Sequence, residues 1–288
     1  MRLSRLTLHL STALLLASGG TLHLAHAAAT VAVSPATPLT IGESFSIDSQ
    51  ALKEKRHINV YMARAWDTPP DAPLPVLYMP DGGVAEDFLH VAGLLQVSVA
   101  NGTMRPFMLV GMQNTQRRRD LTGPTDNADD RKIAPVVSGA PAYRAFIRDE
   151  LVPEIKRRYR TTGETAIVGE SLAGLFVVET YLLEPQLFDH YLAFDPSLWW
   201  NRGALPRQAA ALLAKGAPGK HSLYLATSAE VGIASEVQRL SEVLEKQSPP
   251  GLQWHVEKMP EETHGTIYHP AALKAFRAVF KPQAPAAQ

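Results

Sequence analysis

Short apolar runs alternate along the chain with longer segments in which apolar residues recur every three or four positions. The runs are 76–79, 107–110, 166–168, 191–194, 222–226 and 252–256. The first five stop at turn-forming residues: Pro80-Asp81-Gly82-Gly83, Gly111, Gly169, Asp195-Pro196 and Thr227-Ser228 in turn. Runs of this kind predict strands buried on both faces of a parallel sheet. Segments 43–47 and 57–62 also read as strands, and in the second Ile58, Val60 and Met62 alternate onto one face. No helix fits between these two, which predicts an antiparallel pairing at that end. The spacers predict helices over 87–99, 143–159, 172–183, 205–214, 235–247 and 270–280. Pro153 lies inside the second of these and should kink or divide it. The alternation predicts an α/β protein, a three-layer α/β/α sandwich around a mostly parallel sheet of about eight strands.

Composition adds limits. The 288 residues are 45% hydrophobic and 19% charged, enough apolar material for a sizeable core. A single domain is expected over 28–280, beginning with a loose lead-in, and the proline-bearing tail 281–288 is expected to be disordered. Residues 1–27 read as a secretory signal. Arg2 and Arg5 supply the positive start, the apolar stretch is densest at 13–17, and Ala25-His26-Ala27 gives the small-x-small cleavage pattern. His9, Ser11, Thr12 and Ser18 interrupt the stretch and argue against a membrane anchor. A periplasmic or secreted protein with no stable membrane anchor after processing is expected. Lys plus Arg and Asp plus Glu are 28 each, and loss of the leader would leave −2. That balance argues against nucleic-acid binding. Cysteine is absent, which removes disulfides, thiolate metal sites, a cysteine nucleophile and a lipidated N-terminal cysteine. Chemistry must come from Ser, His, carboxylates or a cofactor.

The segment Ala166-Ile167-Val168-Gly169-Glu170-Ser171-Leu172-Ala173-Gly174 takes a buried strand into a serine and then a helix, the context of a nucleophile elbow. Strand and helix backbones must approach closely there, and Gly169 and Ala173 are small enough, although the pattern is GxSxA rather than GxSxG. The N–H of Leu172 at the helix start is a natural oxyanion donor. A hydroxyl needs a base, and His264, in the loop after the last strand, is the expected one. His269, beside Pro270, is its nearest rival. The orienting acid is expected in the order Ser, acid, His. Glu230 in the loop after 222–226 is the first choice, with Asp195 and Glu236 as alternatives and a Ser–His dyad also open. A second oxyanion donor is expected from Gly82 or Gly83. In Arg117-Arg118-Arg119-Asp120, one arginine is expected to pair with Asp120 and hold the loop. Another, Arg119, is assigned to an anionic substrate group. Trp199 and Trp200 are assigned to a pocket wall.

With these motifs the chain resembles the esterase branch of the α/β-hydrolases that holds enterochelin-esterase-like enzymes, esterase D and the mycobacterial mycolyltransferases. The resemblance covers about 41–280 and looks closest to periplasmic siderophore-esterase-like members. It rests on 76–82, Asn114-Thr115 with 117–120, 169–174, 195–200 and 262–265. It implies Ser171 as nucleophile, His264 as base and an oxyanion role near Asp81-Gly82. The family often has serine where this chain has Asp195, so the resemblance leaves the acid open. The function it implies is hydrolysis of a small-molecule carboxylic ester through an acyl-enzyme, with no metal or organic cofactor. Acyl transfer from the same site and a non-catalytic binding protein on this fold are the alternatives.

Overall fold

In the computed structural model the described residues are 33–216 and 219–282; the expected leader 1–27 and tail residues 283–288 lie outside them. Residues 33–40 are exposed and carry no helix or strand, and a compact unit begins at Ile41. Its strands are β1 (Glu43–Ser49), β2 (Glu54–Ala63), β3 (Leu74–Pro80), β4 (Phe107–Met112), β5 (Thr161–Glu170), β6 (His190–Phe194), β7 (His221–Thr227) and β8 (Leu252–Lys258). They form one sheet in the order β1-β2-β4-β3-β5-β6-β7-β8. β1 and β2 pair antiparallel, as do β2 and β4, and every other pairing is parallel. This is the expected mixed, mostly parallel sheet. β3 and β4 are buried at every residue, as strands covered on both faces must be.

The flanking helices bury two cores. α1 (Phe88–Ala100) and α9 (Tyr268–Val279) cover one face with Val91, Leu95, Ala272 and Phe276. α6 (Leu172–Leu183), α7 (Trp200–Leu213) and α8 (Val231–Gln247) cover the other with Phe176, Ala209, Val237 and Leu240. Each fully buried Val, Leu or Phe side chain among these contributes about 1.5–3 kcal/mol. Among the described residues no helix is long and apolar enough to cross a membrane. The helix expected over 143–159 is divided. α4 (Ala140–Phe146) passes through a π-helical turn at Ile147–Leu151 into α5 (Val152–Arg158), with Pro153 in the first turn of α5. The ring that cannot continue the hydrogen-bond ladder thus marks the break. The stretch after β4 carries two short helices, α2 (Arg117–Asp120) and α3 (Ala128–Ile133), which no hydrophobic periodicity announces.

Candidate active site

The sharp turn between β5 and α6 is built on Ser171, whose backbone is held at φ 60°, ψ −121°. That is the left-handed side of conformational space, costly for a residue with a Cβ. The surroundings enforce it. Ser171 N–H donates to the Phe194 carbonyl at 3.0 Å, and its own carbonyl accepts from Ser197 N–H at 3.0 Å and Leu175 N–H at 2.9 Å. A Cβ on Gly169 would stand 2.6 Å from the Ala173 backbone, so the strand and helix meet only because that position is glycine. The Leu172 N–H at the start of α6 has no acceptor among the described residues and forms part of the positive end of the helix dipole.

His264, in the loop between β8 and α9, joins the serine to a carboxylate. Its Nε2 lies 3.0 Å from Ser171 Oγ and its Nδ1 3.0 Å from Asp195 Oδ2. In the neutral ring that accepts from serine, Nδ1–H donates to Asp195. Asp195 sits at the C-terminal end of β6 with φ 41° and a fully buried side chain. Ser228 donates to it twice, N–H to Oδ1 and Oγ–H to Oδ2, each at 2.6 Å. Burial would raise this carboxyl, but the hydrogen bonds from His264 and Ser228 outweigh it and hold the group below the ordinary range. The same bond from Asp195 raises His264, with Glu170, Asp195 and Glu230 adding to it against burial.

The carboxylate that meets the imidazole is therefore Asp195, in place of the first choice, Glu230. Glu230 precedes α8 and its carbonyl accepts from Ala234 N–H, while its charge reaches His264 only as the weakest of the influences on the ring. Glu236 lies inside α8, beside Arg239 and Gly203. His269 turns to His90, 3.1 Å away.

The glycines after β3 are committed elsewhere. Gly82 N–H donates to the Met112 carbonyl at 3.0 Å, and a Cβ there would stand 2.3 Å from Gly111 Cα. Gly82 is thus a sheet-crossing residue and not a free donor, which corrects that expectation. Gly83 N–H donates to Glu86 Oε2 at 2.7 Å, so that donor is covered by a side chain of the same loop.

Arg119 is not at the site either. It donates to Asp120 Oδ1 at 2.6 Å and Glu54 Oε1 at 2.8 Å and fastens the stretch after β4 to β2. It shares both carboxylates with Arg56, fully buried, which lies 2.7 Å from Asp120 and 2.9 Å from Glu54. The arginine that faces the site is Arg117, which grips Asp81 at 2.7 and 2.8 Å with two donors. Asp81, Glu86, Asp87, Asn114, Thr115 and Arg117 line an open depression of about 540 Å³. Trp200 packs in the core, its indole N–H donating to the Gly123 carbonyl at 3.2 Å, and also lines a pocket of about 250 Å³ with Leu175 and Glu179. Trp199 is half-buried against the same core. Neither pairs with the Ser171 set.

A family model described as Putative esterase matches residues 49–263, three quarters of the chain and all the residues of the site except His264. The chain belongs to that esterase family. Among curated proteins, this family member is 30% identical over 169 residues to the ferri-bacillibactin esterase BesA of Bacillus subtilis, which covers 52% of this chain and 56% of the relative. It is 32% identical over 159 residues to a siderophore triacetylfusarinine C esterase of Aspergillus fumigatus, covering 49% of this chain and 50% of the other. The chain thus spans about half the length of these curated relatives. Among solved structures, an IroE-like serine hydrolase from Shewanella oneidensis superposes with a TM-score of 0.74 at 27% identity, over 83% of this chain and 80% of that one.

Sequence reasoning passed over Glu170, Ser197 and Ser228. Ser197 Oγ stands 3.4 Å from Ser171 Oγ. Glu170 Oε1 lies 3.3 Å from His264 Nε2. Its place next to Ser171 was the one available signal.

Proposed function

We propose that this chain is a serine esterase that hydrolyses a carboxylic ester through an acyl-enzyme on Ser171. The observation that carries the reading is the unbroken path Ser171 Oγ, His264 Nε2, His264 Nδ1, Asp195 Oδ2, with both gaps at 3.0 Å. His264 takes the serine proton as Oγ attacks the ester carbonyl carbon. Asp195 accepts from Nδ1–H throughout and steadies the imidazolium that forms. The Leu172 N–H receives the oxyanion, joined by Gly83 N–H when Glu86 yields it. The imidazolium then protonates the departing alkoxide, and water, activated by the same ring, releases the acid. The names of the relatives support an ester of the siderophore class as substrate. The charge and apolar pattern of residues 1–27 supports export to the periplasm or medium, with Ala28 as the first mature residue.

Ser171→Ala tests the reading. Hydrolysis of p-nitrophenyl acetate is expected to fall by about three orders of magnitude or more with the fold retained by circular dichroism. A fluorophosphonate is expected to label the native protein on Ser171. Undiminished hydrolysis in the variant would refute the proposal.

A further inference from the structure

Glu170 ends β5 immediately before the nucleophile. Its Oε1 is buried, has no hydrogen-bond partner among the described residues, and stands 3.3 Å from the His264 nitrogen that serves Ser171. The side chain is 17% exposed, so it borders the space a substrate must enter without being solvated freely. Its surroundings are acidic. The carboxylates of Asp81, after β3, and Asp195, at the end of β6, both act on it. The arginine acting on this group is Arg117 from the stretch after β4, whose Nε and Nη2 both donate to Asp81. An anionic ester would bring its charge against Glu170 while Asp81 already neutralises Arg117. A cationic one would meet the field of a carboxylate that pairs with no arginine or lysine among the described residues, beside the reacting serine.

Building on the esterase reading, we propose that Glu170 determines specificity by charge. Its carboxylate, unpartnered beside His264 and Ser171, makes the site favour esters that carry positive charge, or none, near the scissile carbonyl over anionic esters of the same size. Burial, the leading influence on Glu170, pushes it up to about 7, with Asp195 and Asp81 adding to the rise and His264 and Arg117 opposing it. Selection should accordingly strengthen as pH rises through that value. His264 is also raised from its ordinary value, but its protonation scales all substrates alike and cancels in their ratio.

The experiment compares three p-nitrophenyl esters of similar length: the valerate (neutral), the glutarate monoester (anionic) and the γ-trimethylammonium butyrate (cationic). For the native protein at about pH 8, kcat/KM for the cationic ester is expected to exceed that for the anionic one about tenfold. The ratio is expected to shrink at about pH 6 and to fall below about threefold in Glu170→Gln. A ratio that is flat with pH and unchanged in the variant, or one that favours the anion, overturns the proposal. Should Glu170→Gln not fold, the pH dependence of the native ratio decides alone. Hydrolysis of the valerate without charge preference defeats this inference and leaves the esterase reading intact. No hydrolysis of any ester, together with no fluorophosphonate labelling of Ser171, defeats both.

Discussion

The molecule contains a second Ser–His–carboxylate chain, and it lies at the other end of the same strands. Ser222 Oγ is 2.7 Å from His190 Nδ1, and His190 Nε2 is 2.9 Å from Glu164 Oε1, which Arg105 holds in turn. His190 and Ser222 border an open groove of about 720 Å³ beside α9, larger than the depression near Ser171. By composition and distance the two chains are near equals. They differ in everything around the serine. Ser222 sits in regular strand β7, paired with β6 and β8, and its N–H donates to the Asp189 carbonyl. No helix start follows it, so no row of unsatisfied N–H groups faces its hydroxyl. The imidazole is also reversed, with Nδ1 toward serine and Nε2 toward the carboxylate. Ser171 has the strained turn, the helix N-terminus, a free N–H beside it and a carboxylate fixed by three hydrogen bonds. A hydrogen-bonded trio is common chemistry, and it becomes a nucleophilic site only where the backbone prepares a place for the oxyanion.

Substitutions at the carboxylates give the sharpest contrast. Asp195→Asn is expected to lower kcat by about 10³–10⁴-fold, because the amide no longer fixes the ring with Nδ1–H toward it. Glu230→Gln and Glu164→Gln are expected to leave ester hydrolysis within about twofold, measured on p-nitrophenyl acetate. A large loss in Glu230→Gln would return the acid to the loop after β7. The pH profile separates the ends next. Asp195 raises His264, so the acid limb of kcat/KM is expected to turn above the ordinary imidazole value of about 6.5, and to move down in Asp195→Asn.

At the other end the pH signature is one of stability. Glu164 is partly buried, which would raise it, but its bonds to His190 and Arg105 lower it to about 2. A depressed carboxylate stabilises the fold above its unfolded value, near pH 4.5, and that contribution is lost as pH falls toward 2. Glu164→Gln is therefore expected to lower stability by about 2 kcal/mol near neutrality, by denaturant unfolding, with the deficit closing in acid. The smallest effect is reserved for Ser222→Ala, about 1 kcal/mol of stability and no change in activity. Fluorophosphonate labelling of Ser171→Ala should likewise find nothing at Ser222; a labelled Ser222 would break the distinction.

Much of the fold was readable because β3 to β7 each hold a short apolar run closed by a turn residue, and such runs report burial; β8, at the sheet edge, has no fully buried residue despite its apolar run. The meeting of Ser171 and His264 was readable for a related reason, since an elbow needs small neighbours at fixed spacing and a base is expected after the last strand. The acid was not. Asp195 and Glu230 each follow a strand, and only the lateral order of the sheet, with β6 beside β5, decides which carboxylate reaches the ring. Arg117 and Arg119 posed the same difficulty. Two residues apart in a short helix, they point to different partners, and the buried Arg56 that shares Asp120 with Arg119 lies far back in β2. Gly82 and Gly83 looked available because glycine permits close approach. In the structure Gly82 is packed against β4 and the Gly83 N–H is held by Glu86.

The backbone at Ser171 carries a last implication. Its φ of 60° is a conformation in which glycine would rest without penalty, and the neighbouring strands and helix impose it on a residue with a side chain. Relief of that strain favours a residue without a side chain at position 171. Selection for robustness alone, in a laboratory lineage or an idle gene copy, would tend to replace the nucleophile first and leave behind a sturdier molecule with an empty elbow. The serine persists only where something outside the fold demands its chemistry.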